Sequence, residues 1–221
     1  MSSRTAWPLC ELEASSTNLA GAVTARLAWW VDHPAEHARF LNTLSLMEHI
    51  GSRKIMVSQT GTTLGRETLK HLAEETRHAF FFKKAAETLA GRGLEYDEAE
   101  TIRPASAKMY FGRLDAGIAA ELGPDTHPEV PYLYVSLIIE LRAIWTYRLY
   151  HDVLQGRPSG MSLKSVLAEE ELHLEHMLQR LGELDPELPA RVPLFTRLED
   201  RLFRTLWAAL ESPYAVVSQA A

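Results

Sequence analysis

Cysteine is almost absent, since Cys10 is the only one in 221 residues. A single thiol excludes an internal disulfide framework, a cysteine-based zinc site and a rubredoxin-like iron centre within this chain. Long apolar runs are missing too. No stretch of about 18 apolar residues occurs, and the first sixteen residues lack the apolar core of a secretory signal, so neither a membrane span nor export is expected. Positive charge is in deficit. Lys and Arg number 23 against 29 Asp and Glu, a formal net charge of −6, and no basic cluster offsets this locally, which argues against a nucleic-acid surface. A cytoplasmic protein in a reducing compartment is the expectation. Strand-like alternation, a glycine-rich phosphate loop and a Ser/His/Asp order are likewise missing.

What is present is helical periodicity along almost the whole chain. At 46% hydrophobic and 24% charged residues the composition is globular, and one domain over 1–221 is the simplest organisation. After a loose beginning, Thr17 to Val31 forms an amphipathic segment with Trp29 and Trp30 as packing residues, closed by Asp32-His33-Pro34. A first core helix runs from about Ala35 to Ser58, a Gly61-Thr62-Thr63 turn follows, and a second core helix reaches Ala90, where Gly91 and Gly93 end it. Nearly forty residues then hold one amphipathic helix, Pro104 to Leu122. The third core helix covers about Pro131 to Gln155; a Gly156 to Gly160 turn leads to the fourth, which reaches Gly182. A last helix spans roughly Leu194 to Leu210.

Four polar residues stand where a helical bundle would place apolar ones. The second core stripe reads Leu64, Thr68, His71, Glu75, His78, Phe82, Ala85, Leu89, and the fourth reads Leu163, Val166, Glu170, His173, Met177, Leu181. Each carries Glu-x-x-His at its middle. In a chain with 9 His about one such match arises by chance, so the position on the stripe counts for more than the motif. The first stripe (Phe40, Leu44, Met47, Glu48, Gly51, Ile55) and the third (Leu133, Leu137, Glu140, Ile144, Tyr147, His151) add one Glu each.

Four carboxylates and two imidazoles therefore converge on one interior, and isolated charges of this kind cost several kcal/mol each to bury. A pair of divalent cations supplies the missing charge. The competing account is a metal-free salt-bridge network, but Arg53, Lys54, Arg77 and Arg142 all fall off the stripes. His71 and His151 read either as residues supporting the ligands or, in preference, as polar residues tolerated at bundle ends, His49 and His176 as surface or inter-helix residues, and Glu169 and Glu171 as a solvated face.

Glu followed by Glu-x-x-His, twice over, on two hairpins joined by a long crossover resembles the ferritin-like superfamily of dinuclear carboxylate proteins, over about Ala35 to Gly182. The resemblance implies an all-α, ferritin-like four-helix bundle with extra N- and C-terminal helices. It implies that Glu48 and Glu140 are single ligands, that Glu75 and Glu170 bridge or chelate, and that His78 and His173 are terminal ligands. These six residues would carry catalysis through two Fe ions, or alternatively Mn. Paired cysteines of the rubrerythrin type are missing, and the long crossover departs from bacterioferritin-type storage subunits. The expected activity is therefore an oxidase or oxygenase, of hydroxylase type, acting with dioxygen or peroxide on a small organic substrate, with a separate electron donor and a possible homodimer. Iron handling and manganese catalase or peroxidase chemistry are the alternatives. An apolar cavity is expected beside Glu75, His78 and Glu140, bordered by Phe82, Ile144 and Tyr147 and roofed by Met109 and Phe111.

Overall fold

The computed structural model of the protein describes residues 3–58, 64–157 and 160–212. Among them are seven helices and no strand: α1 (Ser3–Asp32), α2 (Pro34–Ser58), α3 (Arg66–Ala90), α4 (Pro104–Leu122), α5 (Val130–Gln155), α6 (Lys164–Leu184) and α7 (Leu188–Glu211). No helix among the described residues is long and apolar enough to cross a membrane. The Gly61-Thr62-Thr63 turn lies outside the described residues, as do residues 158–159 of the second expected turn.

Side-chain pairing sets the helix directions. Ser45 and Asn42 on α2 meet Ala79 and Lys83 on α3, while Tyr134 and Arg148 on α5 meet Asp185 beyond α6 and Glu171 within it. Both pairs are antiparallel hairpins. They join face to face: His78 and Glu74 on α3 bond Glu169 and His173 on α6, and Tyr147 on α5 reaches Glu48 on α2. The connection between the hairpins carries α4, whose bounds match the sequence expectation residue for residue. Pro104 starts α4 where no backbone donor is needed, and Gly91 ends α3 in the left-handed conformation at φ 68°.

Two boundaries differ from expectation. α1 begins at Ser3 rather than Thr17, because Ser15 and Thr17 donate back to the carbonyls of Leu12 and Glu13 and so remain helical. The added turns bury Leu9 and Leu12. α7 begins at Leu188, with Pro189 in its first turn. On α3 the stripe also drifts, so that Ala86 is buried while Leu64 and Leu89 are exposed; a repeat of seven residues slips around a 3.6-residue helix. Trp30 is core, but Trp29 is 41% exposed and stacks on His33.

One contiguous apolar cluster draws on all seven helices, with α5 at its centre. Because α5 is covered on both sides, Arg142 is buried behind the helix rather than solvated. Its guanidinium donates to both oxygens of Glu199 on α7, at 2.7–3.1 Å, and to Ser16 on α1. Tyr110 on α4 donates to the same Glu199 at 2.8 Å. A buried ion-pair network thus exists in this protein, on the opposite side of α5 from the Glu48 and Glu140 stripes.

Candidate metal centre

All six residues expected to bind metal are buried and face one interior. They fall into two groups, Glu48, Glu75, His78 and Glu170 on one side and His71, Glu75, Glu140 and His173 on the other. Within each group one donor atom per residue lies within 4.8 Å of the others, the spacing that a single cation could span. Glu75 belongs to both. Its Oε1 stands 3.6 Å from His71 Nε2, 3.7 Å from His78 Nδ1 and 3.6 Å from His173 Nδ1. Glu170 also straddles the pair, with Oε1 3.1 Å from His78 Nδ1 and Oε2 2.9 Å from His173 Nδ1.

His71 overturns the preferred of its two sequence readings, a tolerated polar residue at a bundle end. It lies one turn before Glu75, with Nε2 3.2 Å from Glu140 Oε1, Nδ1 3.1 Å from the Tyr132 hydroxyl and its ring stacked obliquely 4.2 Å from that of His173. Its place on the stripe was the available signal. His151 stays outside the cluster beside Gln155. His49 stacks on Tyr96, and His176 is exposed near Glu67.

Glu169 is the second correction. Rather than a solvated residue, it takes the Nε2 proton of His78 at 2.7 Å, and Glu74 takes that of His173 at 2.9 Å. Each Glu-Glu-x-x-His run therefore uses its first Glu to hold the imidazole of the other run. This leaves both Nδ1 atoms aimed at the cluster and fixes the tautomer that can bind metal. Arg77 in turn donates to Glu169 at 2.6 Å. Glu171 does face outward, to Arg148.

Without a metal, the charge of this interior is balanced by protons held on its carboxylates and imidazoles. Burial, reinforced by Glu75 and Glu170, pushes Glu48 well above the usual carboxylate range, and burial with Glu170 and Glu75 pushes Glu140 up to about 8. Glu170 is raised by burial and by Glu75. Burial acts on Glu75 in the same sense, but the neighbouring His71 and His78 outweigh it and hold Glu75 low. Against the cost of burial, the same carboxylates raise His71 and His78 to about 12. Three buried atoms in one group, Glu75 Oε1, His78 Nδ1 and Glu170 Oε1, make no hydrogen bond. Orphaned buried donors and acceptors are rare, and three of them converging fit a cation site. Carboxylate oxygen with imidazole nitrogen and no thiol suits first-row divalent metals such as iron or manganese.

The two halves are not equivalent. Tyr147, seven residues beyond Glu140, donates its hydroxyl to Glu48 and packs on Phe82, sealing the Glu48 side. The matching position seven beyond Glu48 is Ile55, which lines a cavity of about 290 Å³. His71, Glu75 and Glu140 form the inner wall of that cavity, with Gly51, Tyr132 and Ile139 beside them. A cavity does reach Glu75 and Glu140, but on the other side of the candidate ligand cluster from the one expected. Phe82, Ile144 and Tyr147 are packed solid, Phe111 is buried in the core and Met109 is half exposed; the crossover helix contributes Asp115 instead. A larger groove of about 840 Å³ reaches His71 and His173 from the α3/α6 side, past Glu67, Glu74, Glu129 and Glu183.

Comparisons with family models, curated proteins and solved structures return no match. The geometry of the two buried groups therefore carries the functional reading.

Proposed function

We propose that the protein is a ferritin-like dinuclear metal enzyme, an oxidase or oxygenase that uses two iron ions and dioxygen to oxidise a small organic substrate. One observation carries the reading: two buried ligand groups share Glu75, and the group containing His71 and Glu140 opens onto a cavity. The wiring supports it as well, since α2/α3 and α5/α6 are hairpins joined by a long crossover, and each ligand helix contributes from its middle.

Reduced iron, when bound, would supply electrons and open coordination positions for dioxygen. The protein residues have separable tasks. Glu75 and Glu170 lie between the two positions, Glu169 and Glu74 hold the imidazoles, and Tyr147 keeps water from the Glu48 side. The cavity walls Ile55, Val135 and Ile139 give an organic molecule an apolar place beside Glu140. A separate protein or small-molecule donor would return electrons after each turnover.

The groove leading to His173 favours a second reading, iron handling without an organic substrate: Glu67, Glu74, Glu129 and Glu183 outnumber the Lys70 and Arg180 that pair with three of them, and an excess of carboxylates along a channel draws cations inward. One experiment separates them. Protein given an excess of Fe(II) anaerobically and then exposed to air should bind two irons per chain, consume dioxygen in near-stoichiometric proportion to those two, and stop. Continued uptake of many irons per chain would support iron handling and overturn the oxygenase. Sustained peroxide disproportionation by manganese-loaded protein would overturn both.

A further inference from the structure

The cavity beside His71 and Glu140 has a chemical polarity that bears on its occupant. Its inner wall is made of the carboxylates Glu75 and Glu140, and its sides are largely apolar, formed by Ile55, Val57, Val135 and Ile139. Apart from His71, which belongs to the candidate ligand cluster, one cationic side chain among the described residues lines it: Lys54, on α2. Lys54 Nζ stands 2.7 Å from Asp115 on α4, and Asp115 is the more exposed partner, at 53% against 29%. An exposed carboxylate in a surface ion pair is held by little and exchanges readily.

We infer that the cavity takes a short organic carboxylate whose anionic end replaces Asp115 at Lys54 and whose apolar end points at the metal cluster. The inference rests on the oxygenase reading for its chemistry, but not for its binding. At the inner wall Glu75 and Glu140 already occupy His71, at 3.6 and 3.2 Å, so in the metal-free pocket Lys54 at the mouth, with its exchangeable partner, is the favourable place for an added anion. The length follows from the helix. Gly51 abuts Glu75, since a Cβ there would lie 3.3 Å from Oε2, and Lys54 is three residues further on. That is about 4.5 Å of rise, so the anion stands roughly 5–10 Å from the cluster, the span of a chain of about four to eight carbons. The cavity volume agrees: about 290 Å³ is the room of roughly ten waters or a dozen non-hydrogen atoms.

Hexanoate, hexanol and hexylammonium, titrated calorimetrically into the purified protein before and after metal loading, test this directly. Hexanoate should bind about tenfold more tightly than hexanol in both forms, and hexylammonium should bind no better than hexanol. Lys54→Gln, which keeps most of the apolar stem, should erase the preference and leave hexanol binding unchanged. Asp115→Asn should strengthen hexanoate a few-fold by freeing the ammonium. If hexanoate binds only after metal loading and is indifferent to Lys54→Gln, the carboxylate sits on the metals and the inference fails, while the oxygenase reading stands. Weaker hexanoate binding in Asp115→Asn, or a preference for hexylammonium, would also overturn it. Failure of the dioxygen experiment with the Lys54 pattern intact would instead remove the oxygenase and leave the binding site.

Discussion

Glu169 on α6 accepts the Nε2 proton of His78 on α3 at 2.7 Å, although the two belong to different Glu-x-x-His runs. Removing such a partner leaves the ligand present but free to rotate and less basic. Glu169→Gln and Glu74→Gln should each lower metal affinity by about 10–100-fold while leaving the fold intact. Competition against a chelator of known affinity measures this. An affinity within twofold of the parent in both variants would mean that the cross-bonding does not support metal binding.

Loss of the shared carboxylate and loss of a single-group carboxylate should differ in kind. Glu75 faces both ligand groups and Glu48 only one. Glu75→Ala should reduce bound metal well below one per chain, whereas Glu48→Ala should retain about one. Elemental analysis after dialysis decides. Equal occupancies in the two variants would count against a shared ligand.

Stability of the metal-free protein should fall as pH rises from about 6.5 to 8. Glu140 is raised to about 8 from an ordinary 4.5, so the folded state keeps a proton that the unfolded chain has lost, and this stabilisation disappears as pH climbs through 8. His71 and His78 are raised from 6.5 to about 12; their contribution is complete below 6.5 and declines above it. All three slopes have the same sign, each at most about 1.4 kcal/mol per pH unit. Metal binding runs the other way, since ligands must shed protons to bind. The gap in melting temperature between metal-loaded and EDTA-stripped protein should therefore widen from pH 6.5 to 8. A constant or narrowing gap would contradict the assignment.

Glu199→Ala should destabilise the protein by about 3–5 kcal/mol, because it leaves the buried Arg142 guanidinium only Ser16 and a long 3.5 Å contact with Asp200. Replacing both partners with apolar residues should recover much of that loss. Denaturant unfolding of the single and double variants measures both effects, and equal losses in the two would show that the ion pair itself, not the stranded charge, matters.

The six residues that make up the two buried groups, apart from His71, were legible in the sequence because each interrupts an apolar stripe at mid-helix, and a stripe is a local pattern. His71 obeyed the same rule, one turn before Glu75, but an isolated histidine near a helix end has an ordinary explanation that periodicity alone does not defeat. Glu169 and Glu74 could not be read in this way. They sit beside the stripe, and their partners lie across the α3/α6 contact, which only the relative rotation of two helices decides. The cavity was assigned to the wrong side for a similar reason. Tyr147 and Ile55 occupy matching positions in the two hairpins, and whether the larger side chain fills the space or lines it depends on packing. The helical nature of residues before Thr17 was hidden by Ser15-Ser16-Thr17, whose hydroxyls bond within the helix instead of ending it.

The pairing of Arg142 with Glu199 also bears on how a disturbance far from the two ligand groups would reach them. Glu140 and Arg142 are two residues apart on α5, one facing the candidate metal ligands and the other held by α7. A rotation of α5 that releases Arg142 from Glu199 also turns Glu140 away from its neighbours, so the seating of α7 and the aim of Glu140 are mechanically linked.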